Sequence, residues 1–254
     1  MIVPCLNEED TITDTVNEVL GVAPRLPVDV KVLMVDDGSK DGTRDRMARL
    51  CQEDPRCELM VNPRNLGVGR SVRNAWERIP SGAWVMVLPG DNELMFANSI
   101  GNYMEARGSY DVILGYLHNA VIRTPSRRLA SFAFGKVIST LYGFRWRYLN
   151  GLKMYRVEVF RGIPIEADGH AWMAELLAKA QLRDPSLRVG EVPFMSRGRA
   201  RGTAKAVRPA SVARAIREVV TGSRSVAQYR HQVIRGTIEE HARQASHAPR
   251  GRAS

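Results

Sequence analysis

Two carboxylates, Asp91 and Glu93, stand two residues apart in Val87-Leu88-Pro89-Gly90-Asp91-Asn92-Glu93, just after the apolar run Ala83 to Leu88. On an extended segment, side chains at i and i+2 leave the same face, so this pair can share one hard cation through oxygen ligands. The same stretch also spells a strand-to-loop turn, with Pro, Gly, Asp and Asn as turn formers and Glu solvated. Taken alone it fits both. Three more polar clusters end apolar runs: Asn7-Glu8, Asp36-Asp37, and Asn65 with Arg70 and Arg73. Asp36 or Asp37 can accept from a base N–H or from ribose hydroxyls, and a cation at Asp91 and Glu93 offsets the charge of a diphosphate. Gly67-Val68-Gly69 opens a helix and offers a phosphate cradle. It is not the dinucleotide fingerprint, which follows the first strand and carries a third glycine.

The elements that position these clusters are legible in the apolar spacing. Ile2 to Leu6, Val30 to Val35, Glu58 to Val61 and Ala83 to Leu88 predict strands. Between them Ile12, Val16, Val19 and Leu20, then Met47, Leu50 and Cys51, then Val68, Val72, Ala75, Trp76 and Ile79 mark helical faces, with Asn7 expected as an N-cap. Strand and helix in alternation predict an α/β fold with a mainly parallel sheet, in which all four clusters open on one edge. Beyond it, strands are expected at Asp111 to Tyr116, Gly151 to Tyr155 and Leu187 to Val192, the last ended by Pro193. A helix over Arg127 to Tyr142 makes Leu129, Phe132, Val137 and Leu141 available for packing. Another contains Trp172, Leu176, Leu177 and Ala180, with Glu175 on an adjoining face. One or two amphipathic helices follow from Ser211, with a disordered end from about His247.

The 254 residues suit one large α/β domain or a domain plus an appendage. No apolar window approaches the ~18 residues of a membrane span, and no signal-peptide pattern is present. A first strand at Met1 lacks lead-in residues, as a trimmed or misplaced start would give. Cys5, Cys51 and Cys57 are odd in number and lack metal-ligand spacing, which fits reduced packing thiols and a cytoplasmic chain. The net charge of +10 lies entirely in the tail: 13 Lys and Arg stand against 3 Asp and Glu from Arg197 on, leaving 24 of each sign before it. Such a tail faces phosphates or an anionic lipid surface, or is a solvated helical face. Nucleic acid is not expected, because only Tyr229 interleaves the basic residues.

Read together, Val3-Pro4-Cys5-Leu6-Asn7-Glu8-Glu9, Val35-Asp36-Asp37-Gly38-Ser39-Lys40-Asp41-Gly42-Thr43 and Asn62-x-x-Asn65-x-Gly67-x-Gly69 resemble the inverting family-2 glycosyltransferases of GT-A fold. The resemblance covers roughly residues 1 to 206, leaving 207–254 as a basic amphipathic helical tail. It implies that Pro4, Leu6, Asn7, Glu8, Asp36, Asp37, Asn65, Arg70, Gly90 and Asp91 line a nucleoside-diphosphate-sugar site. It also implies that Asp91 and Glu93 hold Mg2+ or Mn2+. Gly169-x-x-Trp172-x-x-Glu175-Leu176-Leu177, Gly190-Glu191-Val192-Pro193, Arg199-x-x-Gly202-x-x-Lys205 and Asn150-Gly151-Leu152-Lys153 are similar to segments of polyprenyl-phosphate sugar transferases such as dolichyl-phosphate mannose synthase. Arg199 and Lys205 would then sit on phosphate oxygens. The sequence departs from the pattern where Pro89 replaces the first metal aspartate and Ala204 the usual serine.

The expected reaction is displacement at the anomeric carbon, with a nucleoside diphosphate leaving. A phosphate acceptor is already anionic and needs little base help. A hydroxyl acceptor needs a base, for which Asp91, Asp168, His170 and above all Glu175 are candidates; alternatively Glu175 caps or pairs on a helix surface. A lipid acceptor would be met by the tail at the membrane surface, through Val212, Ile216, Val219 and Val220; alternatively such a helix packs on its own domain or on a partner subunit. A soluble glycan or metabolite acceptor, and binding of a sugar nucleotide without transfer, are the competing readings.

Overall fold

A computed structural model describes residues 1–119, 125–143, 146, 151–167, 169, 171–198 and 209–247. Its centre is a seven-stranded sheet: β1 (Ile2–Cys5), β2 (Val32–Asp36), β3 (Cys57–Val61), β4 (Trp84–Val87), β5 (Val112–Leu117), β6 (Lys153–Arg156) and β7 (Val189–Phe194), in the order β3-β2-β1-β4-β6-β5-β7. β1, β2, β3 and β4 run parallel, β5 and β7 pair in parallel, and β6 is antiparallel to both β4 and β5. Strand β2 is buried throughout, as a central parallel strand covered on both faces must be.

Helices α1 (Ile12–Val22), α2 (Thr43–Glu53) and α4 (Phe96–Ala106) cover one face, burying Ile12, Val16, Val19, Met47, Phe96, Ile100 and Tyr103. On the other lie α3 (Val68–Trp76), α5 (Pro125–Tyr142), the single turn α6 (Val157–Phe160), α7 (Trp172–Arg183) and α8 (Pro209–His247). Val72, Trp76, Tyr155, Phe160 and Trp172 meet in that second core. There the Trp76 indole N–H donates to the Tyr155 hydroxyl at 3.0 Å, satisfying a polar group that burial would otherwise leave unpaired.

Several expectations change. Helix α4 adds an element beyond those expected, with Phe96, Ile100 and Tyr103 at i, i+4, i+7. Strand β7 runs through Pro193 to Phe194, which an edge strand tolerates because a missing N–H can face away from the ladder. On α5 the packed side chains are Ile138 and Tyr142, whereas Leu129, Phe132, Val137 and Leu141 are exposed. The tail forms one 39-residue helix, the first of the two alternatives, starting at Pro209 and reaching His247. It docks on α7 and α5: Val219 and Val226 are buried, and the Tyr142 hydroxyl donates to the Val219 carbonyl at 3.2 Å. Cys5 and Cys57 are buried, Cys51 is half-buried, and all three are free thiols.

Candidate active site

The carboxyl ends of β1, β2 and β4 are tied together by hydrogen bonds. Asn7 does not cap α1, which starts at Ile12. It adopts a left-handed φ of 56°, its amide N–H donates to Ser39 Oγ at 3.0 Å, and its Oδ1 accepts from the Lys40 amide at 2.8 Å. The Glu8 amide donates to Thr43 Oγ1 at 2.8 Å, and Glu9 Oε2 accepts from the Gly42 amide at 2.7 Å. Pro4 and Leu6 are half-buried on the same strand end.

Asp36 and Asp37 are buried, and their oxygens hold the crevice walls. Asp36 accepts from the Ser39 amide at 2.9 Å and from Arg44 Nε at 2.8 Å. Asp37 takes Asn62 Nδ2 at 2.9 Å and the amides of Leu66 and Gly67 at 2.8 and 2.9 Å, fixing the loop that enters α3. Gly38 has φ +74°, and a Cβ there would lie 2.6 Å from the Arg64 carbonyl carbon, so this turn requires glycine. Asn65 is exposed, with Oδ1 accepting from the Gly67 amide at 3.0 Å, and Arg70 is half-buried one turn into α3.

Gly90 is buried where β4 leaves the sheet. A Cβ would collide with Cys5 Sγ, while its carbonyl accepts from Thr11 and Thr15 at 2.8 and 3.2 Å. Thr11 and Thr15, one turn apart on α1, were not singled out from sequence. Asp91 is half-buried, with Oδ1 accepting from the Glu93 amide at 3.2 Å, and Glu93 is buried. The Cys5 thiol registers the convergence: burial, then the charges of Glu8, Asp36 and Asp91, push its pKa well up. The segment is a turn and not an extended stretch, Asn92 having a left-handed φ of 49°; Asp91 and Glu93 supply oxygen ligands of the kind Mg2+ or Mn2+ takes, one or two at a time, with water and phosphate completing its shell. Among the described residues no cluster of three or more His, Cys, Asp or Glu supplies a self-sufficient metal cage.

The chain after β7 returns to this place. Leu94 bridges Ser196, Ser196 Oγ donates to the Glu93 carbonyl at 2.9 Å, and Arg197 binds Asn92 and, at 2.7 Å, Glu18. Arg199 and Lys205 lie outside the described residues, as do Asp168 and His170.

Glu175 requires a correction. It is fully buried inside α7's packed face, not on a helix surface. Its carboxylate accepts from the Glu166 amide at 3.0 and 3.1 Å, the Ala167 amide at 2.8 Å and Lys179 Nζ at 2.7 Å. A base must reach its reactant's proton; this carboxylate instead clamps the 164–167 segment to α7.

The family model described as Glycosyl transferase family 2 matches residues 1–173. Dodecaprenyl-phosphate galacturonate synthase of Rhizobium johnstonii is 24% identical over 213 residues, covering 81% of this chain and 60% of that protein. Glycosyltransferase AglJ of Haloferax volcanii is 24% identical, covering 72% of this chain and 58% of that protein. The chain thus spans about three fifths of the length of these relatives. Glucosyl-3-phosphoglycerate synthase of Mycobacterium tuberculosis, solved with Mn2+, UDP and phosphoglyceric acid, superposes with a TM-score of 0.64 at 17% identity, covering 87% of this chain and 77% of that one. The fold is the GT-A type.

Proposed function

The chain belongs to glycosyl transferase family 2, and from this we propose that it transfers a sugar from a nucleoside-diphosphate sugar to an acceptor with inversion at the anomeric carbon. The observation that carries the reading is the convergence of Glu8, Asp36, Asp37 and Asp91 on one sheet edge, where open α/β folds bind ligands. The turns organised by Asn7, Asp36 and Asp37 form the nucleoside pocket, with Pro4, Leu6, Glu8, Asn65 and Arg70 on its walls. Asp91 and Glu93 hold Mg2+ or Mn2+, which when bound neutralises charge on the departing diphosphate. Arg199 and Lys205 contact phosphate oxygens.

In the transfer an acceptor oxygen forms a bond to the anomeric carbon as the bond to the β-phosphate oxygen breaks, and that electron pair leaves on the nucleoside diphosphate. A phosphate acceptor brings its charge with it, so no base is required. Occupation of Glu175 by three internal donors takes one candidate base away from a hydroxyl acceptor and leaves Asp91 for that role.

A polyprenyl phosphate is the preferred acceptor. Leu129, Phe132, Val137 and Leu141 on α5 and Ile216, Val220 and Ile234 on α8 expose large apolar side chains, a surface suited to lipid contact. No described helix is long and apolar enough to cross a membrane; peripheral contact through these side chains is the mode proposed. The test is transfer from a panel of UDP, GDP, CDP and dTDP sugars to undecaprenyl phosphate or 3-phosphoglycerate, with the anomeric configuration of the product read by NMR. Sugar-lipid product of inverted configuration supports the reading; retention, or no transfer with any donor, overturns it.

A further inference from the structure

We infer that Lys153 holds the anionic oxygen of a phosphate-bearing acceptor, a specificity residue for the reaction proposed above and dependent on that reading. The observation is a contrast between two buried lysines. Lys179, 1% exposed, gives its three protons to three acceptors: Pro164 O and Glu175 Oε1 at 2.7 Å and Ser225 Oγ at 2.8 Å. Lys153, 8% exposed, has one, the Gly151 carbonyl at 3.0 Å. Its other neighbour is the Trp172 ring, with the centroid 5.5 Å from Nζ. Among the described residues no carboxylate pairs with it. A buried ammonium without a counter-charge is costly, and a group that arrives already charged removes that cost.

The position of Lys153 selects the ligand. Strand β6 is antiparallel, so its first residue lies at the edge where β1, β2 and β4 end; Lys153 pairs with Val87, the last residue of β4. In the sheet order β4 separates β6 from β1, β2 and β3, which carry the nucleoside turns. Lys153 therefore lies at that edge on the opposite side of β4, the strand that leads into Asp91, from the nucleoside turns, and the inference places the acceptor there. It lies beside Trp172, the first residue of α7, where backbone amides also favour an anion. Gly69, in the first turn of α3, packs against the same Trp172, where a Cβ would lie 2.7 Å from the indole-bearing Cβ. Burial pulls the Lys153 pKa down to about 8, and among the described residues no charged neighbour opposes that shift. A neutral hydroxyl acceptor would leave the ammonium as it is; a phosphate monoester would pair with it.

The test follows the lysine side chains by NMR in protein labelled at lysine. The chain has six lysines, and the Lys153 signal is the one absent from Lys153→Arg. Titration midpoints are compared in buffer, with nucleoside diphosphates (UDP, GDP, CDP, dTDP) and Mg2+, and with inorganic phosphate, farnesyl phosphate or 3-phosphoglycerate added. The inference predicts no change with any nucleoside diphosphate and a rise of at least about one pH unit with the phosphate monoesters. The more potent of farnesyl phosphate and 3-phosphoglycerate identifies a lipid or a soluble source. A rise with a nucleoside diphosphate alone, or none with any of the three phosphates, overturns it. In transfer assays Lys153→Met should raise acceptor KM at least about tenfold and leave donor KM unchanged. A lowered kcat with both KM values unchanged would make Lys153 a scaffold residue and also overturn it. Failure of every nucleoside diphosphate to stabilise the wild-type chain is a separate result, and counts against the transferase reading itself.

Discussion

Replacing Lys179 by Met removes the cation from a site buried inside α7's packed face. Glu175 is 0% and Lys179 1% exposed by side chain, and their 2.7 Å contact is one i, i+4 turn within α7. After the change Glu175 keeps the Glu166 and Ala167 amides but is a buried carboxylate with no counter-charge, and Pro164 O and Ser225 Oγ each lose a donor. Breaking a buried pair from one side costs about 3–5 kcal/mol. For a chain of this size each kcal/mol shifts Tm by about 2–4 °C, so a fall on the order of 10 °C is expected. Urea unfolding of wild type, Lys179→Met, Glu175→Gln and the double variant completes a cycle. Because the double variant removes both charges, it should be more stable than the two single losses predict, with a coupling of about 1–3 kcal/mol. A loss under about 1 kcal/mol for Lys179→Met, or strict additivity, would refute the buried-pair argument. Normal stability with a large loss of kcat in Glu175→Gln would return that residue to the role of base.

Three further outcomes follow from particular contacts. Lys153 has a folded pKa lowered to about 8 from 10.5, so its burial penalty is fully present below pH 8 and disappears as pH rises through the unfolded value. The shift amounts to about 3 kcal/mol; Lys153→Met should therefore be more stable than wild type at pH 7 in urea unfolding, the gap closing towards pH 10.5, and a pH-independent gap would contradict this. Gly38→Ala places a Cβ against the Arg64 backbone at a φ of +74°, so a loss of about 1–3 kcal/mol and of nucleotide-induced stabilisation is expected by thermal shift. A chain ended at residue 208 uncovers the α7 surface that Val219 and Val226 bury, and should lose several °C in Tm; an unchanged Tm would mean that α8 adds nothing to the fold.

The first half of the fold was legible because β1 to β4 are short apolar runs, each followed by a polar cluster, and the first three also by a helix of clear period. The cluster convergence needed only the rule that parallel strands end on one edge. What each carboxylate does there was not legible: Asp36 and Asp37 hold Ser39, Arg44, Asn62, Leu66 and Gly67, partners up to 30 residues away. Glu175 was misjudged for the same reason, since an acidic residue on a helix carries no mark of the loop amides it will meet. Helix α4 was passed over because its Asn, Ser and Gly residues dilute the signal of Phe96, Ile100 and Tyr103. The α5 face was assigned to the core because sequence shows which residues are apolar and not which face a long helix presents. Lys153 was visible only as part of a motif; that no described carboxylate pairs with it is a property of the packed structure.

The central claim is that Asp91 and Glu93, at the end of β4, hold the metal that secures a nucleoside diphosphate. It is tested most directly by thermal shift of wild type and Asp91→Asn with UDP, GDP, CDP and dTDP sugars, each with and without Mn2+ or Mg2+. At about 100 times its Kd a ligand adds ~2.7 kcal/mol of stability. The account predicts a metal-dependent upward shift with one nucleotide in wild type, absent in Asp91→Asn, while the two unliganded proteins melt within a few degrees of each other. An equal shift in both proteins would contradict it, as would no shift with any of the four.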